Sequence, residues 1–323
     1  MMRILIVHNS MIPVKDYGGV ERIIWWLGKE LTSLGHEVRY LVPLGSQCPF
    51  AKVYHLVPER PINAQIPDDI DVVHLCFQSA EKIRKPYLMM YQFNYHSHDR
   101  FDINTVFVSQ DHAKRHNATT YVHNGIDVDE YGPVDFTVKR KYLLFLGYAK
   151  RPEKNLKDCL AICRKTKNIL AVVGGKDKWY RRRPWVQYMG FIGGGRKNEV
   201  LQQSKALLFP VRWHEPFGIA IIEALYFGCP VIGSTYGSLK ELVPRDVGSL
   251  SNSVPEMIGS VKNLDRFAPK RCHEYVLENF TSKHMTREYL KLYEKVLAKV
   301  PLNAAEPVNN GNFSREDLLP LSR

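Results

Sequence analysis

Residues 214–225 read His214-Glu215-Pro216-Phe217-Gly218-Ile219-Ala220-Ile221-Ile222-Glu223-Ala224-Leu225, with Gly228-Cys229-Pro230-Val231-Ile232 close behind. Ahead of them, 206–209 is an apolar run of strand length. Pro216, Phe217 and Gly218 turn the chain into a helix expected over 219–226, and 230–232 is the next strand. Strand, turn, helix and strand at this spacing are one repeat of a doubly wound parallel sheet. The first N–H groups of such a helix, at Gly218 and Ile219, have no partner within it and attract phosphate oxygens. Glu223 falls in the second turn, where its carboxylate can accept hydrogen bonds from two ribose hydroxyls. Glu215 falls on the other side of the phosphates, where a sugar would lie. Alone, two glutamates eight positions apart carry little weight.

The repeat extends in both directions. Strands are expected at 142–146, 169–173 and 186–188, and helices at 156–166, 198–204 and 238–242. Upstream, 3–9 reads as a strand buried on both faces and 20–34 as an amphipathic helix stopped by Gly35. Further strands are expected at 38–42, 52–56, 72–75, 87–91, 105–108 and 120–122, with a short helix at 111–116. Residues 127–140 break the pattern and read as a domain linker. A long amphipathic helix is expected at 282–300, and the polar residues 301–323 read as a disordered tail. The boundaries are therefore 1–135 for the first domain, 136–281 for the second, and 282–300 for a helix returning to the first.

The chain has 323 residues, 45% of them hydrophobic, enough for one large core or two ordinary ones. No apolar run approaches the roughly 18–20 residues of a membrane span, and the opening residues lack a cleavage pattern, so a cytoplasmic protein is expected. Six cysteines without a Cys-x-x-Cys pair read as buried thiols rather than metal ligands. The net charge of +12 is uneven: residues 1–140 hold 15 Lys+Arg against 16 Asp+Glu, and 141–323 hold 30 against 17. A basic second half suits a polyanionic ligand.

The 214–232 stretch resembles the E-x7-E signature of retaining glycosyltransferases of family 4, with its E-P-F-G, E-A-L and G-x-P-V pieces. Other segments extend the resemblance over roughly 3–298: Gly18-Gly19-Val20-Glu21, Asn124-Gly125-Ile126-Asp127, Phe145-Leu146-Gly147, Glu153-Lys154-Asn155 and Gly237-Ser238-Leu239-Lys240-Glu241. It implies the GT-B fold, α/β with two Rossmann-like doubly wound domains facing a central cleft. It implies transfer of a sugar from a nucleoside-diphosphate sugar, most often UDP-linked, to a glycan or lipid-linked acceptor in cell-surface polysaccharide synthesis. By the same resemblance the donor site comprises Gly18, Gly19, Gly147, Lys154, Glu215, Phe217, Gly218, Ile219 and Glu223. Glu215 would contact the donor sugar, Glu223 the ribose and Lys154 the diphosphate.

Two departures stand out. Where the family has arginine after the glycine there is Tyr148, so Lys150 or Arg151 is expected to supply the second cation, with Arg151 preferred because its planar fork can bridge both phosphates. Where it has histidine there is Gln92, which can still hydrogen-bond a sugar hydroxyl; His96 substitutes only if its loop folds back. The catalytic set is thus Glu215, Lys154, Arg151 and Gln92. The chain is read as having no Asp-x-Asp motif, so no metal and no other cofactor is expected. The departures keep a non-catalytic nucleotide-sugar or glycan-binding paralogue as the alternative. Lys176, Lys178 and Arg181-Arg182-Arg183 read as a solvated loop, with weak peripheral membrane contact at the inner face as the functional reading and no nucleic acid. His112 and His116 read as surface residues, and Trp25-Trp26 as core.

Overall fold

The structure is a computed structural model describing residues 1–14, 18–95, 99–175, 183–310 and 317–323. The chain forms two compact units, one from residues 1–14, 18–95, 99–127 and 281–310, the other from 128–175, 183–280 and 317–323.

Unit 1 is built on a parallel sheet in the order β3-β2-β1-β4-β5-β6. Its strands are β1 (Arg3–Val7), β2 (Glu37–Val42), β3 (Lys52–His55), β4 (Val72–Leu75), β5 (Tyr87–Met90) and β6 (Thr105–Val106). Leu5, Val7, Leu41, Val73, Leu75 and Met89 close one core on this sheet, which is why these segments read as near-continuous apolar runs. Helix α1 (Gly19–Ser33) buries Ile23, Ile24, Trp26, Leu27 and Leu31. Trp25 is half-buried, edge-on to Phe50 at 4.8 Å. Of the strand expected at 120–122, only a single bridge between Phe107 and Tyr121 forms.

The short helix α2 (Gln110–Arg115) corrects the reading of His112 and His116 as surface residues. His112 is fully buried and His116 nearly so. The His116 ring stacks on Phe107 at 5.1 Å, and His112 lies 5.0 Å from the same ring. Ser109 caps the helix by accepting from the His112 N–H, which turns both imidazoles onto the aromatic cluster of Tyr91, Phe101 and Phe107. Burial pushes the His112 imidazole well below its usual range.

Unit 2 repeats the plan in the order β12-β11-β10-β7-β8-β9, again fully parallel. Its strands are β7 (Tyr142–Leu146), β8 (Leu170–Val173), β9 (Val186–Gly190), β10 (Ser204–Phe209), β11 (Val231–Gly233) and β12 (Gly248–Leu250). The expected linker contains helix α3 (Val128–Tyr131). Helices α4 (Leu156–Thr166), α5 (Gly194–Gln202), α6 (Ile219–Tyr226), α7 (Leu239–Leu242), α8 (Val254–Lys262) and α9 (Pro269–Asn279) follow, the last two and β12 in sequence that gave no expectation. In each sheet the order reverses beside the first strand, at β1/β4 and at β7/β10. The crevice at the carboxyl ends of such a strand pair is where doubly wound proteins bind ligands.

Helix α10 (Ser282–Leu297) belongs to unit 1. Tyr289 and Tyr293 are fully buried against His74, whose Nδ1 lies 2.8 Å from the Tyr293 hydroxyl. The tail is not disordered over 301–310 and 317–323, contrary to the reading from its polar composition; 311–316 lie outside the described residues. Asn303 donates to the Ile103 and Thr105 carbonyls, each at 2.9 Å, and is buried. In unit 2, Leu319 N donates to Arg212 O at 2.9 Å, and Arg212 Nε donates back to Leu319 O at 2.7 Å. Polar side chains here satisfy backbone groups, and composition does not show that.

Candidate active site

Two loops at the carboxyl ends of β7 and β10 build the site in unit 2. They are tied directly: Asn155 Nδ2 donates to Pro210 O at 2.8 Å, and Arg212 N donates to Glu153 O at 2.8 Å. Asn155 holds a left-handed backbone and caps α4, which ends the turn carrying Lys154. The ties bring Lys154 Nζ to 2.6 Å from Glu215 Oε2. The Trp213 indole donates to the same oxygen at 2.8 Å. The Lys154 ammonium sits 4.6 Å from the Trp213 ring centroid and 5.5 Å from that of Phe209, a cation–π setting that holds charge away from bulk water. Gly147 directly follows β7, with the Lys154 side chain running past it.

Glu215 is fixed through its backbone. It bridges to Gly237, and its carbonyl accepts from Ser238 N at 3.0 Å. A Cβ at Gly237 would lie 2.3 Å from Glu215 N, and φ there is +67°, so glycine alone fits. Ser238 Oγ also donates to Phe217 O at 2.8 Å. Buried Phe217 leads into Gly218, the N-cap of α6, which has φ +86° and no side-chain cap. Ile219 opens the helix.

Glu223 is buried on α6 and meets two donors that the sequence reading missed. Lys197 Nζ from α5 and the Tyr131 hydroxyl from α3 each lie 2.5 Å from its Oε1. No contiguous motif announces either: Tyr131 lies in the expected linker and Lys197 just ahead of the expected helix.

Other expected residues stand apart from this constellation. Arg151 Nε is 3.7 Å from Glu153 Oε1, with its side chain 37% exposed. Glu153 is fully buried, and neither carboxylate oxygen has a hydrogen bond among the described residues. Tyr148 packs at 5.7 Å from Phe191. In unit 1, Gln92 accepts from Asn124 Nδ2 at 3.2 Å. Gly18 and Gly19 begin α1, beside Glu21. His8 Nε2 at the end of β1 is 3.7 Å from Glu21 Oε1 and holds that carboxyl below its usual range. His96 and 176–182 lie outside the described residues.

The reading that the chain lacks Asp-x-Asp needs correction, since Asp69-Ile70-Asp71 and Asp127-Val128-Asp129 both occur. Asp69 and Asp71 pair with Arg39 and Arg3, and Asp127 pairs with Lys29. Among the described residues, no group of three or more His, Cys, Asp or Glu side chains is placed to hold a metal ion. No helix among them is long and apolar enough to cross a membrane.

Residues 133–258 match the family model described as Glycosyl transferases group 1. An uncharacterized 41.2 kDa protein in the cps region of Klebsiella pneumoniae is 26% identical over 34% of this chain and 32% of its own length. An uncharacterized glycosyltransferase of Methanocaldococcus jannaschii is 27% identical over 29% of this chain and 24% of its own. The matches thus span about a third or less of these relatives. Among solved structures, AviGT4, a glycosyltransferase involved in Avilamycin A biosynthesis, superposes with TM-score 0.77 at 20% identity, covering 93% of this chain and 99% of that one. Anabaena Alr3699/HepE in complex with UDP and glucose gives 0.65 at 14%, covering 91% and 100%. Two parallel six-stranded sheets with flanking helices give the chain the GT-B fold of these structures, and within it residues 133–258 are similar to the glycosyl transferases group 1 model.

Proposed function

We propose that the protein is a retaining, metal-independent glycosyltransferase of family 4. It moves a sugar from a nucleoside-diphosphate sugar, with UDP as the diphosphate, to a glycan or glycolipid acceptor in cell-surface polysaccharide synthesis. The observation that carries the reading is Lys154 held on Glu215 at the β7/β10 crevice, beside the N-terminus of α6. Lys154 and the Gly218 and Ile219 N–H groups supply positive charge for a departing diphosphate. Glu215 faces the donor-sugar hydroxyls and Glu223 the ribose. The bond from the anomeric carbon to the β-phosphate oxygen breaks as the acceptor oxygen attacks from the same face. The acceptor's proton passes to the departing phosphate oxygen, so the chain orients and stabilises rather than supplying a strong base.

The UDP complex of the Anabaena protein supports the choice of base, and the cps-region relative supports the polysaccharide setting. Lys139, Arg140, Lys141 and Lys205 line a concavity of about 560 Å³ on unit 2. This basic surface supports weak contact with anionic lipid at the cytoplasmic face of the membrane. The test is turnover with UDP-, GDP- and ADP-sugars in EDTA. Undiminished turnover of a UDP-sugar is expected, and loss restored by manganese or magnesium is the contrary result. Arg151 facing Glu153 rather than Lys154 favours the non-catalytic paralogue as a second reading, which binding without turnover across the donor panel would establish.

A further inference from the structure

Glu223 and Lys197 form an ion pair with side chains 7% and 8% exposed. A buried pair of this kind contributes little net stability compared with apolar residues of the same volume, because desolvating two charges offsets their attraction. Its geometry, by contrast, is specific. Both donors, the Lys197 ammonium and the Tyr131 hydroxyl, fall on Oε1. Among the described residues Oε2 accepts no hydrogen bond, yet it is not sealed from solvent. The three side chains come from three elements: α3, α5 and α6. Lys197 also lies 5.5 Å from the Tyr131 ring centroid, and Asn198 Nδ2 donates to Tyr131 O at 3.3 Å, so α5 holds both donors in place. A carboxylate clamped at one oxygen has its second oxygen aimed in a fixed direction.

We propose that Lys197 and Tyr131 are positioning residues that clamp Glu223 by Oε1, so that Oε2 reads the vicinal hydroxyls of a ribose and selects ribonucleotides. The inference rests on the nucleotide-binding reading above. Lys197 does not touch the nucleotide; it acts through Glu223. Without it the carboxylate is left buried with a single neutral donor, free to rotate about its last torsion, and its aim is lost.

The experiment measures dissociation constants by calorimetry for UDP, GDP and ADP and for their 2′,3′-dideoxy counterparts. The full chain is used throughout, as wild type, Lys197→Met and Tyr131→Phe. Wild-type protein is expected to bind at least one ribonucleotide about tenfold or more tightly than its dideoxy form, the size expected of hydrogen bonds to a charged acceptor. Lys197→Met should bring that ratio close to one, and Tyr131→Phe should lower it partway. A merely structural role would change the melting temperature and weaken both nucleotides alike, leaving the ratio intact. A ratio unchanged in the variants overturns the inference alone; a wild-type protein indifferent to the hydroxyls overturns the ribose role of Glu223 together with it. If none of the three diphosphates binds the wild type, the nucleotide reading falls and the clamp with it. Should Lys197→Met fail to fold, Tyr131→Phe, which removes one hydroxyl and no charge, decides by the same ratio.

Discussion

Glu215 and Glu223 stand eight residues apart around the start of one helix, and each is held by one lysine and one aromatic donor. Lys154 and the Trp213 indole converge on Glu215, whereas Lys197 and the Tyr131 phenol converge on Glu223. The difference lies in the lysines. Lys154 ends a single 3-10 turn and its side chain is 15% exposed, whereas Lys197 sits within a longer helix and is 8% exposed. A lysine at the edge of solvent can swing from its carboxylate to an arriving phosphate. A sealed one cannot leave without stranding a buried charge. On the proposed function, the Lys154 pair exchanges partners during turnover and the Lys197 pair stays.

Lys154→Met is expected to break this contrast most visibly. If Lys154 moves onto the departing diphosphate, turnover should fall by about 10²-fold or more, the range seen when one preorganised donor is removed. A loss below tenfold would put the two lysines in the same class. The glutamates should then separate by assay. Glu223→Ala is expected to weaken nucleotide binding itself by about 10- to 100-fold. Glu215→Ala should leave free-nucleotide affinity intact and impair sugar transfer. Equal loss of affinity in both would erase the distinction.

Arg151→Ala sharpens the comparison from the side of Lys154. A diphosphate carries about two to three negative charges, costly to leave uncompensated in a dry site. Arg151, once turned from Glu153, can bridge oxygens on both phosphates with its planar fork. Turnover should then drop by about tenfold, roughly 1.4 kcal/mol of transition-state stabilisation. If Arg151→Ala is silent, Lys154 and the start of α6 carry the phosphates alone.

The smallest expected effect contrasts the two units. Both units hold ion pairs with buried partners, and unit 1 in addition buries imidazoles as neutral groups. Burial pushes His74 down to about 3 and lowers His112 as well. Unfolded histidines take up protons below about pH 6.5, and these folded ones do not. Stability supplied by the neutral rings is therefore complete above about pH 6.5 and declines as the pH falls toward 3. Urea titrations between pH 7.5 and 4.5 should show unit 1 weakening first. His74→Phe should flatten that decline, and an unchanged slope would remove His74 as its source.

Much of the arrangement was legible in the sequence, for a physical reason. Glu215, Gly218 and Glu223 lie in one contiguous stretch whose turn and helix follow from local rules, and both sheets follow from apolar runs at regular spacing. What escaped depends on distant partners. Lys197 is 26 residues from Glu223, and Tyr131 is 92. Residue type also misled: imidazoles on a six-residue helix read as surface until the rings of Phe101 and Phe107 are placed against them. The polar tail read as disordered because composition does not reveal which carbonyls Asn303 and Arg212 will meet.

At Gly125 the returning chain passes so close that an added Cβ would sit 2.1 Å from the Thr281 carbonyl oxygen, and Ser282 N donates to Ile126 O at 2.7 Å. Unit 1 is therefore closed by residues translated after nearly all of unit 2. During synthesis the first 127 residues emerge with β4 and β5 laid out, but Tyr289 and Tyr293, the cover over His74, follow more than 150 residues later. At roughly 5–20 residues per second the delay is on the order of ten to thirty seconds. The earlier half of the protein is thus the later to mature, and a nascent chain stalled anywhere within unit 2 presents an open apolar face to whatever chaperones attend the ribosome.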